Sequence, residues 1–152
     1  MSTTRANGIQ EIERFRKALK NRSMKATAQR IAIHEAMIAL CHASADMVRE
    51  HIEENSGTKV TTASVYNILT QLSDRGIYSR RLSSNNKMYF DICPDPHIHL
   101  YDSVNNEFRD LQDESLVETV EDYFRKRRFR GYSIDGVEVQ VICHPTRKKR
   151  IK

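Results

Sequence analysis

Cysteine is scarce in this chain and badly spaced for the usual work of a thiol. Three occur, Cys41, Cys93 and Cys143. They are far apart and odd in number, which argues against a disulfide framework and for a reducing, cytoplasmic setting. No C-x-x-C pair is present, so a thiolate zinc knuckle is excluded. Long apolar runs are missing too: none approaches the roughly 18 residues of a membrane span. The first residues lack the apolar stretch of a signal peptide. Apolar residues make up 39% and charged residues 30% of the 152, which places the chain on the polar side of globular. That length allows one domain or two small ones.

The net charge of +5 is unevenly spread. Residues 1–82 hold 13 Lys and Arg against 8 Asp and Glu, whereas residues 91–122 hold ten acids and a single base, Arg109. Bases then crowd Arg125–Arg130 and the tail Arg147–Lys152. A basic first half followed by an acidic segment suggests a polyanion-binding module joined to a cation-binding or self-associating one, although ordinary surface charge gives the same pattern.

Periodicity organises the first half as helices. Ile12, Phe15 and Leu19 share one side of a helix over 9–19, and Ile33, Ala36, Met37 and Leu40 mark a second after Thr27. Ser44 is a good N-cap for a third, over 45–54, closed by Asn55-Ser56-Gly57. Thr61 or Thr62 caps a fourth that runs to about Asp74 and stops at Gly76. In that helix Val65, Ile68, Leu69 and Leu72 form an apolar stripe. Its other face, with Thr62, Ala63, Tyr66, Asn67, Thr70 and Asp74, is short and polar enough for base edges and phosphates. Residues 77–82 and 87–92 alternate in polarity around the turn Ser83-Ser84-Asn85-Asn86. Helices followed by such a hairpin predict a winged helix-turn-helix, with a generic helical domain as the bland alternative.

The second half reads as a small α+β unit. A strand is expected over 107–111, and a helix over 113–128 with Leu116, Val120 and Phe124 on one stripe. Acids in its first turn and bases in its last suit the helix dipole, which accounts for Arg125–Arg128 without a DNA patch. After Gly131, the alternation of Val137, Val139, Val141 and Cys143 predicts a half-buried strand. So few strands leave an open edge, and pairing with a second copy is expected.

Between the halves stands His97-Ile98-His99, six residues after Phe90-Asp91. On a strand the two imidazoles share a face, roughly 6.5–7 Å apart along the chain. They can converge on one cation, which a carboxylate such as Asp91 completes as a nitrogen/oxygen site. Two solvated histidines in an acidic loop are the plainer alternative.

Together these segments resemble the ferric uptake regulator family, over residues 20–143. The resemblance rests on Lys25-Ala26-Thr27 with Gln29-Arg30, on His42-Ala43-Ser44-Ala45-Asp46, and on Thr62-Ala63-Ser64-Val65-Tyr66-Asn67-Ile68-Leu69. Gly76-Ile77, Tyr89-Phe90-Asp91 and His97-Ile98-His99-Leu100 extend it. It implies a winged-helix DNA-binding domain, here residues 1–92, and a dimerisation and metal-sensing domain, residues 93–152 with the basic tail. It further implies a sensor site between them formed by His42, Asp91, His97 and His99, with Asp110 as a further carboxylate. One zinc, Fe(II) or Mn(II) ion per subunit would be held there, and this ligand set does not choose among them. Lys25, Thr62, Ser64, Tyr66 and Asn67 are the residues expected to meet double-stranded DNA.

The implied function is a homodimeric, metal-responsive transcriptional regulator of metal or iron homeostasis, a repressor in the first instance and not an enzyme. A metal-binding protein or metalloenzyme without DNA function is the alternative from another class. Cys93-Pro94 resembles the haem-regulatory motif of some members of the family, which makes Cys93 a candidate haem ligand. An idle cysteine beside a turn proline is the plain reading.

Three departures from the family pattern stand out. Members commonly hold a structural zinc with two C-x-x-C pairs, and the first pair's positions fall near Asp102 and Asn105, so that zinc has no thiolates. The arginine that often follows the recognition tyrosine is Asn67, which favours adenine over guanine or phosphate. A second family site finds no histidine partner in the last strand.

Overall fold

The computed structural model describes the backbone of residues 2–146 and the side chains from Gly8 to Thr146; the basic tail Arg147–Lys152 lies outside the described residues. Contacts divide the chain into two compact units, one ending at Pro94 and the other beginning at Asp95. No helix among the described residues is long and apolar enough to cross a membrane.

The first unit holds helices α1 (Ser2–Asn21), α2 (Ala28–Leu40), α3 (Ala45–Ser56) and α4 (Thr62–Asp74). Each of the last three starts on a side-chain cap: Thr27 accepts from the Arg30 amide, Ser44 from Met47 and Thr61 from Ser64. These caps satisfy amide groups that the first helical turn leaves without partners. Gly57 ends α3 at φ +63°, and Gly76 turns the chain after α4 at φ +67°, a region open to glycine without steric cost. The α4 stripe is fully buried at Val65, Leu69 and Leu72, against Phe15 and Leu19 of α1, Met37 of α2 and Val48 of α3. Helix α1 begins earlier than its apolar period, which starts at Ile9, because the polar residues before it join the same helix.

A three-stranded antiparallel sheet completes this unit in the order β1 (His42–Ala43), β3 (Met88–Asp91), β2 (Ser79–Leu82). β2 and β3 form the expected wing hairpin. β1 is an addition that two residues are too few to announce by alternation. Side-chain direction in β2 also inverts the hydropathy: Arg81 lies inward, its side chain 8% exposed, while Leu82 is 57% exposed. Helices carrying this wing make the unit a winged helix.

The second unit is a sheet in the order β5 (Glu107–Leu111), β4 (Ile98–Asp102), β6 (Val139–Cys143), with β4 antiparallel to β5 and parallel to β6. Helix α5 (Glu114–Arg125) is capped by the Asp113 carboxylate, which accepts from the Leu116 amide. The whole is α+β, as the pattern predicts. Two boundaries differ from the sequence expectation. α5 stops at Arg125 instead of Arg128: Lys126 caps it, the Arg127 amide closes a tighter turn on the Phe124 carbonyl, and the Arg127 guanidinium sits 4.2 Å from the centre of the Tyr123 ring. β6 begins at Val139, so Val137 precedes the ladder, and Val141 is exposed instead of half-buried.

One buried polar group carries a stability cost. The His34 ring stacks on Phe15 with centroids 3.9 Å apart, and its Nδ1 shares a 2.7 Å hydrogen bond with the Tyr78 hydroxyl. Burial lowers the His34 pKa from 6.5 to about 4, against the opposing pull of the Glu11 backbone and carboxylate. The same burial raises that of Tyr78. The folded state therefore binds fewer protons than the unfolded chain between these two values, and stability falls as pH drops from 6.5 toward 4.

Urea unfolding at pH 7 and pH 5 should show His34 removing about 2 kcal/mol on that descent, from a gap of about 1.5 pH units. His34→Gln should lack this component; an equal pH loss in the variant would contradict the assignment. Ser44→Ala should cost about 1 kcal/mol through loss of the α3 cap, measured the same way at pH 7.

Candidate functional site

Sheet register assembles the first group of candidate ligands. Asp91 ends β3, the central strand, and pairs with His42 on one side and Ser79 on the other. Residues opposed across a sheet share a face, and so does the residue two further along a neighbouring strand, here Arg81. His42 Nε2 lies 3.2 Å from Asp91 Oδ2, and an Arg81 guanidinium nitrogen lies 3.8 Å from the same oxygen. The other carboxylate oxygen accepts the Cys93 backbone N–H at 2.8 Å. Asp91 is 1% exposed and His42 8%, so the carboxylate is held among donors in low-dielectric surroundings, where an unmatched charge would be costly.

The second group lies wholly within the second unit. His99 on β4 pairs with Asp110 on β5, and His97 precedes β4 by one residue. The two rings lean together to a centroid distance of 4.1 Å. Both His97 Nε2 and His99 Nε2 approach one oxygen, Asp110 Oδ1, at 3.1 and 3.6 Å. His97 Nδ1 donates to the Asp95 carbonyl at 2.7 Å, since a carbonyl can only accept. With Nδ1 donating, Nε2 is the ring nitrogen that faces the Asp110 oxygen, and it is the atom a metal ion would take. Imidazole nitrogens and carboxylate oxygens are the donors that divalent zinc, iron and manganese accept, so both groups fit such an ion.

Residues 21–140 match the profile of the Ferric uptake regulator family. The chain belongs to that family. Its members are transcription regulators that respond to metals rather than enzymes. Among solved structures, the Ferric uptake regulator from Pseudomonas aeruginosa with manganese is similar at 21% identity and a TM-score of 0.69, covering 86% of this chain and 97% of that one. The Vibrio cholerae ferric uptake regulator shows 22% identity and a TM-score of 0.68, with 86% and 98% covered. The Campylobacter jejuni peroxide stress regulator shows 21% identity and a TM-score of 0.62, with 91% and 98% covered. At such identities these likenesses speak for the fold. No curated protein matches the sequence.

Of the candidate DNA-binding residues of this family member, Lys25, Tyr66 and Asn67 are exposed and Ser64 is partly so. Tyr66 also sets its ring edge-on to buried Phe90 at 5.8 Å, which ties α4 to the wing strand β3. Thr62 is more committed: its hydroxyl donates to Asp46 Oδ1 at 3.2 Å, and the Lys87 ammonium lies 3.4 Å from Asp46 Oδ2. Arg80 meets Asp74 at 3.0 Å, while Arg30 donates to the Lys25 carbonyl and to Gln71. Arg30, Asp46 and Lys87 brace the exposed face of α4; Arg30 and Asp46 stand within the quoted sequence motifs, but none of the three was given a role there, because their separation in the chain hid the pattern. Cys93, the candidate haem ligand, is half-buried, and its carbonyl accepts from the Ser79 hydroxyl.

Near Asp102 and Asn105, where the family resemblance leads one to expect a cysteine pair, this chain builds a hydrogen-bonded turn. Asp102 accepts the backbone N–H groups of Val104 and Asn105 and the Asn105 side-chain amide at 2.7 Å. Those bonds, the Asn105 side chain first, lower the Asp102 pKa. Ser103 adds both its amide and its hydroxyl to the Cys143 carbonyl, tying the turn to the end of β6.

Proposed function

We propose that this family member is a DNA-binding, homodimeric transcription regulator, a repressor in the first instance, whose affinity for its operator is set by one divalent transition ion per subunit. His42 and Asp91 from residues 1–92, and His97, His99 and Asp110 from residues 93–152, are the proposed ligands. The observation that carries this reading is the convergence of His97 and His99 on one Asp110 oxygen, an arrangement that a divalent cation would fit. Neither group of ligands is a full coordination set in a protein whose ions take four or more partners. Joined on one ion they make three imidazoles and two carboxylates, which leaves no evident place for a substrate.

When bound, the ion would supply a cross-link that fixes the angle between the two domains. His42 directly precedes α3 in sequence terms, with Ala43 and Ser44 between, so the ligand sits at the base of the helix-turn-helix. A ligand changes affinity at a distant surface only through a difference between the states it selects, and the domain angle is that difference here. The exposed faces of Lys25, Ser64, Tyr66 and Asn67 meet the major groove, and Thr62 joins them on release from Asp46. Zinc, Fe(II) and Mn(II) all suit the donors. A reducing cytoplasm is the matching compartment.

The homodimer is supported by α5. No described residue of this helix is buried, although Leu116, Val120 and Phe124 lie on one side, and Val141 and Ile142 of β6 are exposed as well. Apolar surface of this kind in a unit this small gains by meeting a second copy.

Selection of binding sites from random-sequence duplexes, with zinc or manganese added and again with a chelator, tests the reading. The wild type should enrich a two-fold symmetric site only with metal, and His97→Ala should lower that affinity at least tenfold. Enrichment indifferent to both metal and the substitution would defeat the sensor, and metal binding without any sequence-selective DNA binding would favour a metal protein of another kind.

A further inference from the structure

Arg81 is a charged side chain where the wing strand should offer an apolar one. Its side chain is 8% exposed, lies on the same face of the sheet as Asp91, diagonally across from it, and comes within 3.8 Å of the oxygen that His42 Nε2 also approaches. Its neighbour Leu82 points outward at 57% exposure. A strand that turns its leucine to water and its arginine inward gives up hydrophobic burial to place a cation. The placement answers a need of the metal-free protein: a carboxylate at 1% exposure must find positive charge nearby.

We propose that Arg81 is a resident counter-ion to Asp91 that sets the metal affinity of the sensor; this rests on the reading that Asp91 is a metal ligand. Without metal, the guanidinium neutralises Asp91 and holds it in place. With metal, Asp91 shares its charge between a divalent ion and a fixed monovalent one that cannot be deprotonated. Two cations on one buried carboxylate repel each other, and the repulsion is weakly screened there. Arg81 thereby weakens metal binding below what the ligands alone would give. It is a positioning residue, acting through Asp91 and making no metal bond. The set-point of the regulator then depends on the wing as well as on the ligand list.

The test is metal affinity measured by competition with a chromophoric chelator, using zinc, on the full chain. Arg81→Gln removes the charge and should tighten zinc binding at least tenfold. Arg81→Lys keeps the charge and should stay within about threefold of wild type. Affinity unchanged or weakened in folded Arg81→Gln would overturn the proposal, and so would an equal tightening by Arg81→Lys. Should Arg81→Gln fail to fold without metal, recovery of its circular dichroism on adding zinc supports the counter-ion role, and no recovery overturns it. Asp91→Asn and His99→Ala separate this outcome from the parent reading. If wild-type zinc affinity ignores both, the ligand assignment fails along with the counter-ion. If both lose zinc while Arg81→Gln does not tighten, the counter-ion alone fails.

Discussion

A buried carboxylate governs how the first unit is built. Asp91 ends the middle strand of its sheet at 1% exposure, and a carboxyl group in that position needs polar partners around it. The short strand β1 is there to bring His42 alongside, β2 takes the register that turns Arg81 inward, and the chain after β3 curls so that the Cys93 amide reaches the second oxygen. Arrangements that look unfavourable by hydropathy, such as exposed Leu82 beside buried Arg81, follow from that one demand. The helices need no such account, because an apolar stripe on α4 packed against α1, α2 and α3 explains them by burial alone.

Signals that repeat over several turns were legible in the sequence. The i, i+3, i+4, i+7 spacing of Val65, Ile68, Leu69 and Leu72 located α4, and single residues with a strong local preference, Ser44 and Gly76, located ends. Strands of four or five residues were found, with an end misplaced at Val137 because alternation continues beyond the hydrogen-bonded ladder. What stayed hidden were pairings across the chain. β1 is two residues long, and Arg81 faces inward only because β3 sets its register. Of the candidate ligands, His97 and His99 were visible from their own spacing, whereas His42 and Asp110 came only through family resemblance. No local pattern says that residue 42 will lie beside residue 91.

The brace around α4 shows how the exposed polar face of that helix and fold stability overlap. Asp46 holds both Thr62 and Lys87, and Tyr66 is half solvent-facing and half packed on Phe90. A residue in such a position orients the helix and presents its polar edge with the same contacts. Ion pairs as exposed as these contribute little to stability, about 0–1 kcal/mol each. Their weight lies in geometry, keeping the wing and α4 in one relation.

The turn at Asp102–Asn105 has a consequence for how such a protein lives with metal scarcity. Its hydrogen bonds and the Ser103 link to Cys143 close the turn with amides, a hydroxyl and a carboxylate. A scaffold closed by amides and a carboxylate neither draws on the cell's zinc pool nor comes apart when thiols oxidise. On the proposed function, starvation for metal would empty the reporting ligands and leave this framework standing.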